Sequence, residues 1–268
     1  MRAPAPAKIN LALVVGPTRD DGKHELLTVY QRVGLVDRID LEPAPSTSVE
    51  GFPADTLVRK ALDALAEAAN IETGWRVRIE KKVPVAAGVG GGSSDAATAL
   101  RLANETLEQP VELHPVATAV GADVPFFLAD GPQLGAGDGT ELAPLDLPQD
   151  YWVLLVVPHA VQKPSTAAVY AAFDVREGWT GWEERRTALL DALERVRRPR
   201  DLAALPPNDL ASSPLADELR ALGAFRADVS GAGPAVYGLF HHRATAKAAR
   251  RALKRAGACW LTAPAWYG

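Results

Sequence analysis

Pro84-Val85-Ala86-Ala87-Gly88-Val89-Gly90-Gly91-Gly92-Ser93-Ser94-Asp95 is the stretch on which the reading of this chain turns. Trp75 to Val83 runs into it as a strand, with Val77 and Ile79 alternating against Arg76, Arg78 and Glu80. Ala96–Leu107, a helix by propensity, leads out of it. A strand, a glycine loop and a helix opened by Ser93, Ser94 and Asp95 together make a phosphate cradle. Glycine lets the main chain approach a ligand without a Cβ and take positive φ. A helix start offers unpaired N–H groups and the positive end of a dipole to an anion. The plainer alternative is a flexible turn with a Ser/Asp cap, but three consecutive glycines exceed what a cap requires. Familiar phosphate loops do not fit. The only Gly-Lys pair, Gly22-Lys23, has no glycine at Walker A spacing. A dinucleotide fingerprint would need glycine where Ser93 stands and belongs on a first strand–helix turn. The H-R-D and D-F-G of protein kinases are absent.

Upstream of the loop, Ile9, Leu11, Leu13 and Val15 alternate with Lys8, Asn10, Ala12 and Val14, a strand that puts Lys8 and Asn10 on one face. Asp20-Asp21-Gly22 is a turn, Val29 to Glu42 is strand-like, and the apolar spacing of 57, 58, 61, 62, 65 and 69 predicts a helix. Downstream, Leu113 to Val120 reads as a helix stopped by Gly121, and Gly131 to Gly139 as loop. Pro148 marks a boundary between two domains, 1–148 and 149–268. The second opens on an apolar strand, Trp152–Val157. Helices follow over about 184–197 and 214–222, either side of a Pro206-Pro207-Asn208-Asp209 break. The chain closes as strand 225–230, Gly-rich turn, strand 235–240, helix 243–256 and strand 258–262. The mixture predicts a two-domain α+β protein.

Composition narrows the function. The chain has 268 residues, with 47% hydrophobic and 23% charged, the balance of a globular protein. Its longest apolar run, Trp152 to Pro158, is far short of a membrane span. Ile9–Val15 is broken by Asn10 and followed by Pro17-Thr18-Arg19-Asp20-Asp21, with no signal-peptide cleavage site. Cys259 is the only cysteine, so neither a disulfide framework nor a cysteine zinc site is available, and a cytoplasmic location is expected. A net charge of −4 counts against nucleic acid as a partner. The basic face of Arg243, Lys247, Arg250, Arg251, Lys254 and Arg255 reads first as a solvated helix side, ahead of membrane or nucleic-acid binding.

Three segments resemble, in order, the three signatures of the GHMP kinase superfamily: Pro6-Ala7-Lys8-Ile9-Asn10, the loop from Pro84 to Asp95, and Val229-Ser230-Gly231-Ala232-Gly233-Pro234-Ala235. Asp21-Gly22-Lys23-His24-Glu25-Leu26, Gly121 to Phe126 and Asn208-Asp209-Leu210 are similar to the branch acting on a diphosphocytidyl-linked methylerythritol. The resemblance covers about residues 4 to 262. It implies an S5-like N-terminal domain, a ferredoxin-like C-terminal domain and a cleft between them. It also implies ATP-dependent phosphorylation of the polyol's tertiary 2-hydroxyl, with Mg2+, in the non-mevalonate route to isoprenoid precursors. Carried over residue by residue, it makes Lys8 and Asp123 catalytic and Pro84 to Ser94 the ATP loop. Asn10, Lys23, His24, Thr166, Tyr170, Gly231 and Gly233 would line the substrate site, with His24 contacting cytosine and Tyr170 stacking on it. Unaided, the residues allow plainer roles. Lys8 reads as a solvated strand lysine, Asp123 as a cap for 124–128, His24 as a surface residue and Tyr170 as helix core. Gly231-Ala232-Gly233 reads as a tight hairpin. Ser94 would meet Mg2+ or the β-phosphate, or cap the helix. The chain departs from the family at Lys23, where a cytosine-stacking tyrosine is usual, and at Ala86, where glycine is usual. Lys23 keeps open a different alcohol substrate, and the fold alone keeps open a non-catalytic S5-like binding protein.

Overall fold

A computed structural model of the chain describes residues 1–52, 56–159 and 165–265. Two compact units interleave along the sequence. The first takes Met1–Ala7, Leu35–Val85 and Gly90–Asp130, and the second Lys8–Gly34, Ala86–Val89 and Gly131–Gly268. Strands β1 (Arg2–Thr18) and β2 (His24–Ala44) contribute to both, joined through the expected Asp20-Asp21-Gly22 turn.

The first unit also holds β3 (Ser48–Glu50), α1 (Thr56–Ala69), β4 (Gly74–Glu80), α2 (Gly91–Asn104), α3 (Leu113–Val120) and α4 (Val124–Leu128). Within it β4 lies between β2 and β3, antiparallel to the first and parallel to the second. The apolar stripe of α1 packs as its spacing requires: Val58, Ala61, Leu62 and Leu65 are fully buried, as are Ala96, Ala99, Leu100 and Ala103 of the α2 helix it packs on. Burying each such leucine contributes about 1.5–3 kcal/mol. Helix α2 starts at Gly91, ahead of the Ala96 that propensity selects. Gly90, at φ 71°, is its N-cap, and the Ser94 amide donates to the Gly90 carbonyl at 2.9 Å. Local propensity yields to packing here, because a Cβ on Gly91 would stand 2.9 Å from Val83 Cγ1.

The second unit holds β5 (Gln133–Ala136), β6 (Glu141–Pro144), β7 (Trp152–Pro158), α5 (Thr166–Val175), α6 (Trp182–Arg195), α7 (Pro214–Ala221), β8 (Arg226–Val229), β9 (Val236–Phe240), α8 (Arg243–Ala252) and β10 (Gly257–Thr262). The 131–139 segment, expected as loop, carries β5, which pairs with Thr28–Tyr30 of β2 and with β6. Gly135 disguises it: a Cβ there would meet the Tyr30 ring at 2.5 Å, so the strand needs a residue that propensity disfavours. The remaining strands form an antiparallel sheet in the order β10-β7-β9-β8. Read along the chain this is β-α-β-β-α-β, the ferredoxin-like arrangement that the resemblance implies. Helices α7 and α8 bury Leu219, Ala246 and Ala249 with Leu154, Val156, Val236 and Phe240 of the sheet. Helix α5 packs Val169 and Phe173 onto Leu13 and Val15 of β1 and Leu26 of β2. Trp182 fills the space over Gly16, where a Cβ would lie 2.7 Å from its ring.

Candidate active site

The glycine loop is held by its carbonyls. Ala87 O accepts from the Ala235 amide at 3.0 Å, Gly88 O from Ser230 Oγ at 3.1 Å, and Val89 O from the Lys8 amide at 2.9 Å. With the carbonyls taken, the N–H groups of Gly88, Val89 and Gly90 have no acceptor among the described residues, nor have those of Gly91, Gly92 and Ser93 in the first turn of α2. In the first unit the open donors of Gly90 to Ser93 stand at a helix start, which suits an anion, and in the second unit those of Gly88 and Val89 are likewise open. Gly88 must be glycine, since its φ is +82° and a Cβ would stand 2.6 Å from the Ser230 carbonyl oxygen. Ala86 also takes a left-handed φ, 56°, which costs an L-residue about 1–2 kcal/mol and explains why glycine is usual there. Pro84 and Gly88 are half-buried and Val85 is exposed.

Ser94 does not cap the helix. Gly90 does, with no side-chain cap bond. Ser94 Oγ is buried and has no hydrogen-bond partner in the structure. An orphaned hydroxyl oxygen in the turn that follows the cradle fits a phosphate-bound Mg2+, which takes few protein ligands beside phosphate oxygens and water. Among the described residues no group of three or more His, Cys, Asp or Glu side chains could hold a metal by itself.

Beside Gly88 in the second unit lie Lys8 and Asn10. Both are 4% exposed, so Lys8 is not the solvated lysine that its strand position allows. Lys8 Nζ donates to Asn10 Oδ1 at 2.8 Å and lies 5.3 Å from the Tyr30 ring centroid. Asn10 Nδ2 donates to Thr28 Oγ1 at 2.8 Å, and Thr28 Oγ1 to the Ala12 carbonyl at 2.7 Å, so the pair is fixed from the neighbouring strand β2. The turn that holds Gly231 and Gly233 closes on this pair. The Asn10 amide donates to Ser230 Oγ at 3.3 Å, and a Cβ on Gly231 would lie 3.4 Å from Asn10 Oδ1 and 3.8 Å from Lys8 Nζ. Lys8, Asn10, Gly88, Gly231 and Gly233 are therefore brought together, with Ser230, Thr28 and Tyr30 as members that the sequence did not single out.

Asp123 belongs to the first unit, half-buried at the N-cap of α4, and makes no side-chain cap bond there. The same unit contains an ion cluster missed in sequence. Lys81 Nζ lies 2.6 Å from Asp37 Oδ2 and 2.7 Å from Asp95 Oδ2. Burial works against the Lys81 charge, but the two aspartates outweigh it and hold its pKa above the ordinary lysine value. Asp37 also accepts from the amides of Lys82 and Val83, fixing where the chain enters the glycine loop.

A second group in the second unit gathers His24 and Tyr170, whose rings lie 4.9 Å apart at 31°. His24 is buried, not a surface residue, and its Nε2 is 2.7 Å from Asp174 Oδ1. Tyr170 is half-buried on α5, partly packed on the Leu13–Phe173 cluster, so it has both the core contact and an open side. Thr166 begins the same helix and is exposed. Lys23 forms an ion pair with Asp138, from the turn between β5 and β6. The bond to Asp138 raises the Lys23 pKa. Burial opposes ionisation of Asp138, yet its bonds to Lys23 and Thr140 hold its carboxyl below the usual range.

The Asn208-Asp209-Leu210 motif ties these parts together. Asn208 Nδ2 donates to the Val229 and Gly231 carbonyls at 3.0 and 2.7 Å, and its Oδ1 accepts from the Leu210 amide at 2.8 Å. Asp209 receives the Val15 amide at 2.9 Å and Arg185 Nε at 3.0 Å. Asn208→Ala strands three backbone groups, two of them buried, and leaving a buried group unsatisfied costs about 1–3 kcal/mol. Thermal unfolding of this variant should shift down by roughly 10 °C. A shift of under about 2 °C would mean that water replaces the amide.

Family models match the parts of the chain that hold the glycine loop, Asp123, Asn208 and the Gly231 turn, and relatives match most of its length. The family models for the GHMP kinases N terminal domain and the GHMP kinases C terminal match residues 56–131 and 203–259. The chain is 38% identical over 261 residues to the 4-diphosphocytidyl-2-C-methyl-D-erythritol kinase of Anaeromyxobacter sp. (strain Fw109-5), covering 92% of this chain and 84% of that one. It is 34% identical to the kinase of the same name from Geobacter metallireducens, covering 93% and 92%. A crystal structure of 4-(cytidine 5'-diphospho)-2C-methyl-D-erythritol kinase superposes with TM-score 0.81 at 32% identity, over 100% of both chains. A mevalonate kinase crystal structure, at TM-score 0.72 and 13% identity over 98% and 99%, shares the fold.

Proposed function

The chain belongs to the GHMP kinases, among the 4-diphosphocytidyl-2-C-methyl-D-erythritol kinases, and from that premise we infer that it transfers the γ-phosphoryl group of ATP to the 2-hydroxyl of 4-diphosphocytidyl-2-C-methyl-D-erythritol. The product is the 2-phosphate, in the non-mevalonate pathway to isoprenoid precursors. The observation that carries this reading is the set of free backbone donors at the start of α2, Gly90 to Ser93, in a chain that matches these kinases nearly end to end.

Phosphoryl transfer asks mainly for positioning and charge stabilisation. The loop from Pro84 to Ser94 cradles the ATP phosphates. A bound Mg2+ would neutralise phosphate charge, held by Ser94 Oγ and phosphate oxygens. Asp123 accepts the proton of the 2-hydroxyl as general base. Lys8, oriented by Asn10, stabilises the negative charge that develops on the attacking oxygen. Gly231 and Gly233 let the main chain approach the substrate, His24 addresses the cytosine edge, Tyr170 its face, and Thr166 the rim. No helix of the described residues is long and apolar enough to cross a membrane. A cytoplasmic site of action fits two charged nucleotide substrates and a lone cysteine.

ATP consumption by the purified chain with Mg2+ should depend on the diphosphocytidyl substrate. Turnover with a different alcohol alone would overturn the substrate assignment, and none with any alcohol would overturn the kinase reading. Lys23 gives a second test. Base stacking on an aromatic side chain is worth about 1–3 kcal/mol, so Lys23→Tyr should lower KM for the cytidine substrate by roughly 5- to 100-fold with kcat little changed. An unchanged KM would mean that position 23 does not meet the base.

A further inference from the structure

Helix α8 and strand β10 enclose a groove of about 550 Å3, within the range of small-molecule sites, lined by His159, Lys247, Arg250, Arg251, Lys254 and Cys259. Lys247, Arg250 and Arg251 share one face of α8 at i, i+3 and i+4, and Lys254 follows in the 3-10 turn that ends the helix, so all four cations line the groove. None of them makes an ion pair or side-chain hydrogen bond among the described residues. No partner is at hand in sequence either: Asp228 is the last carboxylate side chain of the chain, which nonetheless carries a net charge of −4. Like charges three and four residues apart disfavour a helix. The helix dipole offsets this for the last turn, but it explains neither Lys247 nor the concavity. Arg243 is different, since it stacks over the Trp152 ring at 5.0 Å.

We propose that this groove is a second anion site, taking a compact polyphosphate, inorganic or borne on a nucleotide. A single phosphate reaches too few of the four cations to account for the row. A linear polyphosphate presents several negative charges along one axis, as the row requires. A nucleic acid would track a basic stripe over an open surface and would find the rest of this molecule repulsive. The site uses no residue of the glycine loop, so it does not depend on the kinase reading.

Cys259 is the chain's only cysteine and forms part of the groove wall, so it reports occupancy locally. The test is the rate at which N-ethylmaleimide alkylates Cys259 in the full chain, with and without inorganic tripolyphosphate. An occupied groove excludes the reagent, so the rate should fall about tenfold at ten times Kd. ATP should protect as well if a nucleotide-borne polyphosphate is the ligand, whereas protection by tripolyphosphate alone restricts the site to the inorganic form. Protection should vanish in the quadruple variant Lys247→Gln, Arg250→Gln, Arg251→Gln, Lys254→Gln, and weaken in Arg250→Gln alone should the quadruple variant not fold. An unchanged rate, equal slowing by sodium chloride of matched ionic strength, or protection that survives neutralisation would each overturn the proposal. So would protection by a thymidine oligonucleotide but not by tripolyphosphate.

Discussion

Lys8→Ala and Asp123→Ala are each expected to lower kcat by at least about 10²-fold, with the fold retained. The two changes remove different things. Asp123→Ala removes the group assigned to take the hydroxyl proton. Lys8→Ala removes an ammonium that is 4% exposed and fixed on Asn10 Oδ1 at 2.8 Å. A charge so placed acts through a low dielectric and needs no reorganisation as the alkoxide forms, which is where electrostatic catalysis is strongest. Its loss also leaves Asn10 Oδ1 without its donor, at about 1–2 kcal/mol, so a modest fall in Tm accompanies the kinetic effect. Lys8→Met separates the two. It keeps the buried stem and loses the charge, and should show the full kinetic defect. Because both residues are assigned to one hydroxyl, the double variant should be little slower than the worse single one. Near-normal kcat in both single variants would end the assignment, and multiplicative losses in the double variant would separate the two residues into independent roles.

What the sequence disclosed and what it hid divide along physical lines. Period-two alternation put Lys8 and Asn10 on one face, and the structure bonds them directly. Spacing likewise disclosed the buried stripe of α1. Glycines that serve close approach were misleading: Gly135 concealed β5 beneath Tyr30, and Gly91 moved the start of α2 into what reads as loop. Pairings over long sequence distances leave no local pattern. Lys23 with Asp138, His24 with Asp174, Lys81 with Asp37 and Asp95, and Asn208 with Gly231 depend on which strands become neighbours. A motif resemblance flagged Asn208 without a reason. Its hydrogen bonds supply one, as the clasp of the Gly231 turn.

Gly88→Ala should abolish most turnover and destabilise the chain by about 2–5 kcal/mol. Two costs add. The left-handed φ of +82° charges any L-residue about 1–2 kcal/mol. The new Cβ would stand 2.6 Å from the Ser230 carbonyl oxygen and 2.8 Å from that of Gly233, and overpacking of this kind costs about 1–3 kcal/mol. Those atoms are backbone, so relief must come from moving the 230–233 turn or the loop. The turn is clasped by Asn208 and Asn10, and the loop by Ala235, Ser230 and Lys8. Any shift therefore reaches the Lys8–Asn10 pair and the phosphate donors together, and a misplacement of about 1 Å can cost 10²-fold in rate. Gly22→Ala provides the matched control. Its φ is +79° and nothing lies within 4 Å of the added Cβ, so it carries the conformational cost alone. The difference in unfolding free energy between the two variants measures the contact cost by itself. If Gly88→Ala matches Gly22→Ala in stability and keeps wild-type kcat, the loop and turn are not locked together, and the cradle does not depend on their close approach.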